Sequence, residues 1–322
     1  MKKSTKTGIF FLMIILIFFG MGFLMDFIPE KYSTTNLSML LGQMSIAVPL
    51  LIYLAVTKGK PLKDVRHEKI KIEEIIIIVI FAWVCMPVSS FLNVVTMLFS
   101  DNMVAGSITD LSGNLFIVNV VMIAVLPAVL EELTYRGMFF YGLRGYGVVA
   151  SAVVSGFLFG INHMNINQFA YAFLLGIVFA LMDEVSDSIF ASMIMHFVFN
   201  FNTVCSIEML KLMPILEKMQ DNPEYQQYMD KSGEIATNLS GYSTNMKIAM
   251  LAGFGIAAVI AVIVNFYIFR WYAKRIGRWQ HICECFRDFR HGFAKTEQGH
   301  IISVPTVLGI LICIFVMLIN IL

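Results

Sequence analysis

Charge is scarce in this sequence. Asp, Glu, Lys and Arg make up 14% of the 322 residues, about half the share of a soluble domain, while hydrophobic residues reach 58%. With a mean hydropathy of +0.77, a soluble globular chain is excluded and an integral membrane protein remains. An excess of either sign is missing too: 23 basic residues against 22 acidic ones give a net charge of +1, which excludes the electrostatic footprint of a nucleic-acid binder. The five cysteines (Cys85, Cys205, Cys283, Cys285, Cys313) are odd in number and mostly lie inside apolar runs, a poor disulfide framework. Cys283 and Cys285 lack the two-residue gap of a zinc knuckle, so all five read as free thiols. HExxH is absent as well. The His67-Glu68 pair is followed by Lys69, Ile70 and Lys71 in a basic loop, which excludes the helix-borne zinc-protease signature there. No internal repeat or low-complexity tract is visible.

What is abundant is apolar sequence in runs long enough to span a bilayer. The first follows a basic start, MKKSTKTGIFFLMIILIFFGMGFLMDFI, and at about twenty residues exceeds a signal-peptide core, so it reads as a retained span. Others recur near 37–57, 74–99, 116–143, 147–164, 168–183, 188–206, 247–270 and 302–322. The expected fold is therefore all-α, a polytopic transmembrane helical bundle with about eight or nine spans. With nine, the Lys- and Arg-rich stretches (the N-terminus, 58–71 and 270–295) share one side, which puts the N-terminus in the cytoplasm and the C-terminus outside. The acidic turn DEVSD at 183–187 falls on that basic side as a misfit, which keeps eight spans as the alternative. The expected division is 1–115 as N-terminal helices, 116–206 as a core, 207–246 as an extramembrane loop opening with a surface helix, and 247–322 as C-terminal helices with a basic, aromatic-rich interfacial segment.

Ionisable groups inside apolar runs are costly unless paired or used, so they are the informative ones. Residues 131–137, EELTYRG, follow LFIVNVVMIAVLPAVL directly, and Glu132 and Arg136 are four apart in the favourable order for an ion pair. Glu131 is left facing elsewhere. Of six histidines, His163, closing FGINH, and His196, opening HFVFN with Asn200 one turn on, lie within apolar runs. Glu131 precedes Gly145 by 14 residues and His163 follows Gly147 by 16, so both stand roughly 21–24 Å from the intervening turn. His196 and Asn200, nine and thirteen residues beyond Asp187, rise to roughly 14 and 20 Å. Glu131, His163, His196 and Asn200 are thus expected to converge at one depth.

EELTYR, FGINH and HFVFN match, in order, the EExxxR, FxxxH and HxxxN motifs of the CPBP family of intramembrane proteases, which includes the CAAX prenyl endopeptidase Rce1 and bacterial Abi-type proteins. The resemblance covers Pro127 to Asn200 and makes 116–206 a CPBP protease-like core. It implies a glutamate-dependent or metallo-type peptidase of membrane-associated, lipidated or leader-type peptides. Peptide hydrolysis needs an activated water and donors for the oxyanion. Glu131 and His163 are assigned to water activation, and His196 and Asn200 to the carbonyl oxygen. Glu132 with Arg136 is the supporting pair, and Pro127 opens the helix to water by removing a backbone hydrogen bond. The metal question stays open: Glu131, His163 and His196 are candidate zinc ligands, with the metal-free mechanism preferred.

The expected partners are a peptide or membrane-protein substrate and the lipid bilayer, with a protein partner possible and no nucleic acid. The expected location is the bacterial cytoplasmic membrane. Transporter chemistry is disfavoured because no Gly/Pro-interrupted repeat halves are visible. The alternative is a non-proteolytic scaffold or immunity protein built on the same motifs.

Overall fold

The computed structural model describes residues 2–102, 110–219, 239–289, 293 and 299–319, with backbone alone for 213–219. Ten helices organise these residues: α1 (Lys3–Met25), α2 (Thr35–Thr57), α3 (Ile72–Thr96), α4 (Phe116–Tyr146), α5 (Val148–Ile161), α6 (Ile166–Ser186), α7 (Phe190–Met219), α8 (Thr244–Arg275), α9 (Trp279–Arg287) and α10 (Val304–Ile319). Seven of them (α1–α4 and α6–α8) are long and apolar enough to cross a membrane. The apolar α5 and α10 are shorter, at 14 and 16 residues. The protein is a polytopic helical bundle. Large apolar side chains such as Ile76, Ile80 and Trp83 point outward, as expected where lipid replaces water around a helix.

Helix α4 is not uniform. Its turns widen to π geometry over Val120–Val125, return to α over Leu126–Glu132, and widen again over Leu133–Phe140. The first wide stretch ends just before Pro127, whose ring and missing N–H disturb the preceding turn. The second begins immediately after Glu132, and π turns of this kind concentrate at functional sites.

Two buried clusters meet along the bundle. One joins Phe10 and Phe11 of α1 to Tyr135, Phe139 and Phe140 of α4 and Phe159 of α5. The other joins Ile78 and Phe81 of α3 to Leu175, Phe179 and Met182 of α6 and Met195 of α7. Helices α5 and α6 are locked together by glycine. A Cβ on Gly176 would lie 2.6 Å from the Cα of Gly156, and one on Gly156 would lie 2.8 Å from the Ile177 backbone nitrogen. Such small-residue seams let membrane helices approach backbone to backbone.

The acidic turn is reconciled with its basic surroundings by pairing. Asp187 binds Arg66 and lies 3.4 Å from Arg278, while Glu184 accepts from Arg144 at 2.7 Å and has Arg66 and Arg278 within 3.7 Å. The 58–71 loop is stitched to this turn by backbone bonds, Ile189 N–H to Arg66 and Glu68 N–H to Asp187. One expectation is corrected: no separate surface helix begins at Ile207, because α7 runs unbroken to Met219. Its apolar positions at helical spacing extend the span's own helix. The remainder of that loop, 220–238, lies outside the described residues.

Candidate active site

The site forms where the two buried clusters meet. Arg136, fully buried, lies with its guanidinium carbon 4.5 Å from the Phe159 ring centroid and 5.1 Å from that of Phe179, one ring from each cluster. Such stacking is worth about 2 kcal/mol or more when desolvated. Its charge is met by Glu132, also fully buried, whose Oε1 accepts from the guanidinium at 3.0 Å. The same oxygen lies 2.7 Å from Nδ1 of His196. A carboxylate can only accept, so Nδ1 is the donor and Nε2 is left facing the other way. Gly176 leaves room for this arrangement, since a Cβ there would lie 3.3 Å from an Arg136 terminal nitrogen.

Nε2 of His196 lies 3.8 Å from Oε2 of Glu131. The other Glu131 oxygen accepts from Gln43 of α2 at 3.4 Å. Thus the two adjacent glutamates divide the ring of His196 between them: Glu132 holds its inner nitrogen, and Glu131 faces its outer one. Glu131 lines a cavity of about 390 Å³ together with His163, His196 and Asn200. That volume falls in the range of ligand pockets. A second cavity, of about 170 Å³, touches Glu131, Phe159 and His163 from the α2 side.

All four residues expected to converge therefore share one cavity. The imidazole nearest Glu131 is that of His196. His163 packs edge-on against Phe159, with ring centroids 5.3 Å apart, and lines both cavities. Its position follows from the turn after α5, where Met164 adopts φ +50 and the Asn165 side chain caps α6 by accepting from the Gln168 N–H at 3.1 Å. Pro127 lines the large cavity one helical turn before Glu131.

Several site residues escape sequence reasoning. Asp183, fully buried, accepts from the backbone N–H of Ser192 at 2.8 Å and from its hydroxyl at 2.9 Å. Ser192 is one turn before His196, so this clamp sets the start of the helix that presents His196 and Asn200. The Ser192, His196, Asn200 spacing is the signal that points to it. Phe179 and Gln43 carry no motif, although Gln43 is an isolated polar residue within an apolar run.

Residues 112–202 match a family model described as type II CAAX prenyl endopeptidase Rce1-like. This stretch is similar to an Rce1-like endopeptidase domain. It spans every motif residue from Glu131 to Asn200, but excludes α1–α3 and α8–α10. No curated protein and no solved structure matches the chain. The cavity is therefore partly built from outside the Rce1-like domain, by Ser89, Ser90 and Asn93 of α3.

A metal would need convergent ligand atoms. Among the described residues, the group with ligand atoms within 4.8 Å of one another is Glu184, His281 and Cys285, which lies at the acidic turn. Glu131, His163 and His196 of the Rce1-like domain do not close to that spacing, and Nδ1 of His196 is committed to Glu132. As placed, these side chains do not fit a zinc-ligand set. The Glu184 group is occupied differently, because three guanidiniums crowd its carboxylate.

Proposed function

We propose that the protein is a membrane-embedded endopeptidase that hydrolyses peptide bonds with a water activated by Glu131, without a metal ion. The similarity of residues 112–202 to the Rce1-like family supports peptidase activity of the CAAX-protease kind. The observation that carries the mechanism is the division of His196 between Glu132 at 2.7 Å and Glu131 at 3.8 Å beside the cavity.

In this reading the Glu131 carboxylate takes a proton from a water held between it and His163. The resulting hydroxide attacks the carbonyl carbon of the scissile bond. Negative charge gathers on the carbonyl oxygen, where Asn200 and the outer N–H of a charged His196 donate hydrogen bonds. Glu132, balanced by Arg136, keeps Nδ1 protonated so that the second proton of the charged ring sits on Nε2. Glu131 then passes its proton to the departing amine, and the C–N bond breaks. The 3.8 Å separation of Glu131 and His196 is longer than the 2.6–3.2 Å of a working contact, and in this reading substrate binding tightens it.

The test compares peptide termini in membranes carrying wild type or Glu131→Gln at equal abundance. Termini present with wild type alone support the proposal. Identical sets in the two samples would replace it with a membrane scaffold or immunity protein that keeps a protease-like core.

A further inference from the structure

The large cavity belongs to one end of the bundle. It takes the last third of α3 (Ser89, Asn93), the first half of α4 up to Glu131, His163 after the end of α5, α6 from its first turn (Asn167, Gln168) inward to Phe179, and α7 from His196 to Thr203. These helices alternate in direction, so the cavity reaches inward from the end where α3 and α5 finish and α4 and α6 begin. Helix α5 is part of the reason. Its 14 residues rise about 21 Å, short of the ~30 Å hydrocarbon layer, so the chain turns back below one membrane surface and leaves a hollow above His163.

The two ends differ in charge. Six basic residues (Lys58, Lys60, Lys63, Arg66, Lys69 and Lys71) fill the α2–α3 connection, and Arg144, Arg278 and Arg287 lie at the same end. At the cavity end, the α1–α2 connection has Lys31 against Asp26 and Glu30, Lys211 is paired with Glu208, Lys247 stands in the first turn of α8, and 162–165 and 239–243 contain no Lys or Arg. Loops rich in Lys and Arg stay cytoplasmic.

The walls have their own signature. Among the described residues lining the cavity there is no Lys, Arg or Asp, and Glu131 is the one carboxylate. Around it stand uncharged polar groups: Asn200, Asn202, Gln168 and Ser89, whose hydroxyl is buried with no hydrogen-bond partner. Such groups match peptide N–H and C=O, whereas a free C-terminal carboxylate would find no Lys or Arg to meet it among the described lining residues.

Resting on the endopeptidase reading above, we infer that the cavity opens on the extracytoplasmic face and takes an internal, uncharged stretch of a membrane-anchored or exported polypeptide. The substrate is presented from outside the cytoplasm, and the bond cut lies away from the substrate's C-terminal carboxylate.

Accessibility tests the face without relying on turnover. In a chain with Cys205, Cys283 and Cys285 replaced by Ser, Gln168→Cys marks the cavity mouth and Lys60→Cys marks the basic end. A membrane-impermeant maleimide applied to intact cells is expected to label Gln168→Cys, and to label Lys60→Cys only after permeabilisation. The reverse pattern, or labelling of both only after permeabilisation, overturns the assignment. Should the variants fail to accumulate, the native chain serves instead. Termini that depend on Glu131 are expected to react with an impermeant amine reagent in intact cells and to lie within uncharged sequence; sealed termini, or cuts a few residues from a C-terminal carboxylate, overturn it. Labelling as expected with no Glu131-dependent termini leaves the face standing and removes the peptidase reading. Glu131-dependent termini with reversed labelling do the opposite.

Discussion

Two buried glutamates in this molecule have the same kinds of neighbours and different surroundings. Glu132 meets Arg136 at 3.0 Å and His196 at 2.7 Å; Glu184 meets Arg144 at 2.7 Å and His281 at 2.7 Å. Both side chains are fully buried. Around Glu184 the charges close on themselves, since Arg66 and Arg278 add two further guanidiniums. Around Glu132 they stay open on one side, where the outer nitrogen of His196 faces Glu131 and a cavity of about 390 Å³. Residue type alone does not separate a clasp from a site. What separates them is a second carboxylate, Glu131, that among the described residues has no Lys or Arg in ion-pair reach and lines a cavity.

The largest effect should come from removing that second carboxylate. Glu131→Gln keeps the shape and takes away the base, so cleavage should fall by about 10²- to 10⁴-fold. Glu184→Gln should leave cleavage close to wild type, because its partners hold loops together at the opposite end. Quantifying the same substrate-derived terminus by mass spectrometry in both variants decides it. Equal losses in the two would erase the distinction between clasp and site.

Asn200→Ala tests the cavity wall. It shares a helix face with His196 and lines the cavity without belonging to the Glu132 ion pair. Loss of one oxyanion donor typically costs about 10² to 10³ in rate. The rate should therefore fall in that range while the thermal unfolding midpoint in detergent stays put. A drop in midpoint matching the drop in rate would recast Asn200 as interhelical glue.

These contrasts also show what could be read from the sequence and what could not. EELTYR, FGINH and HFVFN locate Glu131, His163, His196 and Asn200 because helical periodicity and rise per residue are local rules. Their common cavity follows from equal heights above a turn. Partners separated by long stretches of chain leave no such trace. Glu184 and Asp187 looked misplaced among basic loops because Arg66 and Arg278 lie about a hundred residues away on either side. Phe179 and Gln43 are ordinary members of apolar helices until the fold sets them against Arg136 and Glu131. The surface helix expected at Ile207 failed for a related reason. An apolar periodicity that fades into polar sequence describes a span running out of the membrane as well as it describes a new helix.

A smaller effect concerns stability. Glu132→Ala strands the buried Arg136 charge between two phenyl rings, and breaking a buried pair in this way typically costs about 3–5 kcal/mol. Glu184→Ala leaves arginines that are 20–31% exposed and retain access to water and to Asp187, so its cost should be lower. Unfolding in detergent, followed by intrinsic fluorescence, should order them with Glu132→Ala the less stable. The opposite order would mean that the basic-end clasp, not the site, holds the bundle together.

The finest distinction falls on two cysteines of α9. Burial, and then the nearby Glu184 carboxylate, push the Cys285 thiol from 9.0 up to about 11, while Cys283 is exposed. Thiolate is the reactive form, so a thiol held at about 11 presents about 100-fold less of it at neutral pH than an ordinary one. With the other cysteines replaced, maleimide should modify Cys283 readily at pH 7.5 and Cys285 slowly, and the Cys285 rate should climb as pH approaches 11. Glu184→Gln removes the carboxylate and loosens the contact through His281, so it should speed Cys285 alone. Rates for Cys285 that match Cys283 and ignore Glu184 would show that α9 is not held against the acidic turn. The closed character assigned to that end would then fail, while the open arrangement around Glu131 would be untouched.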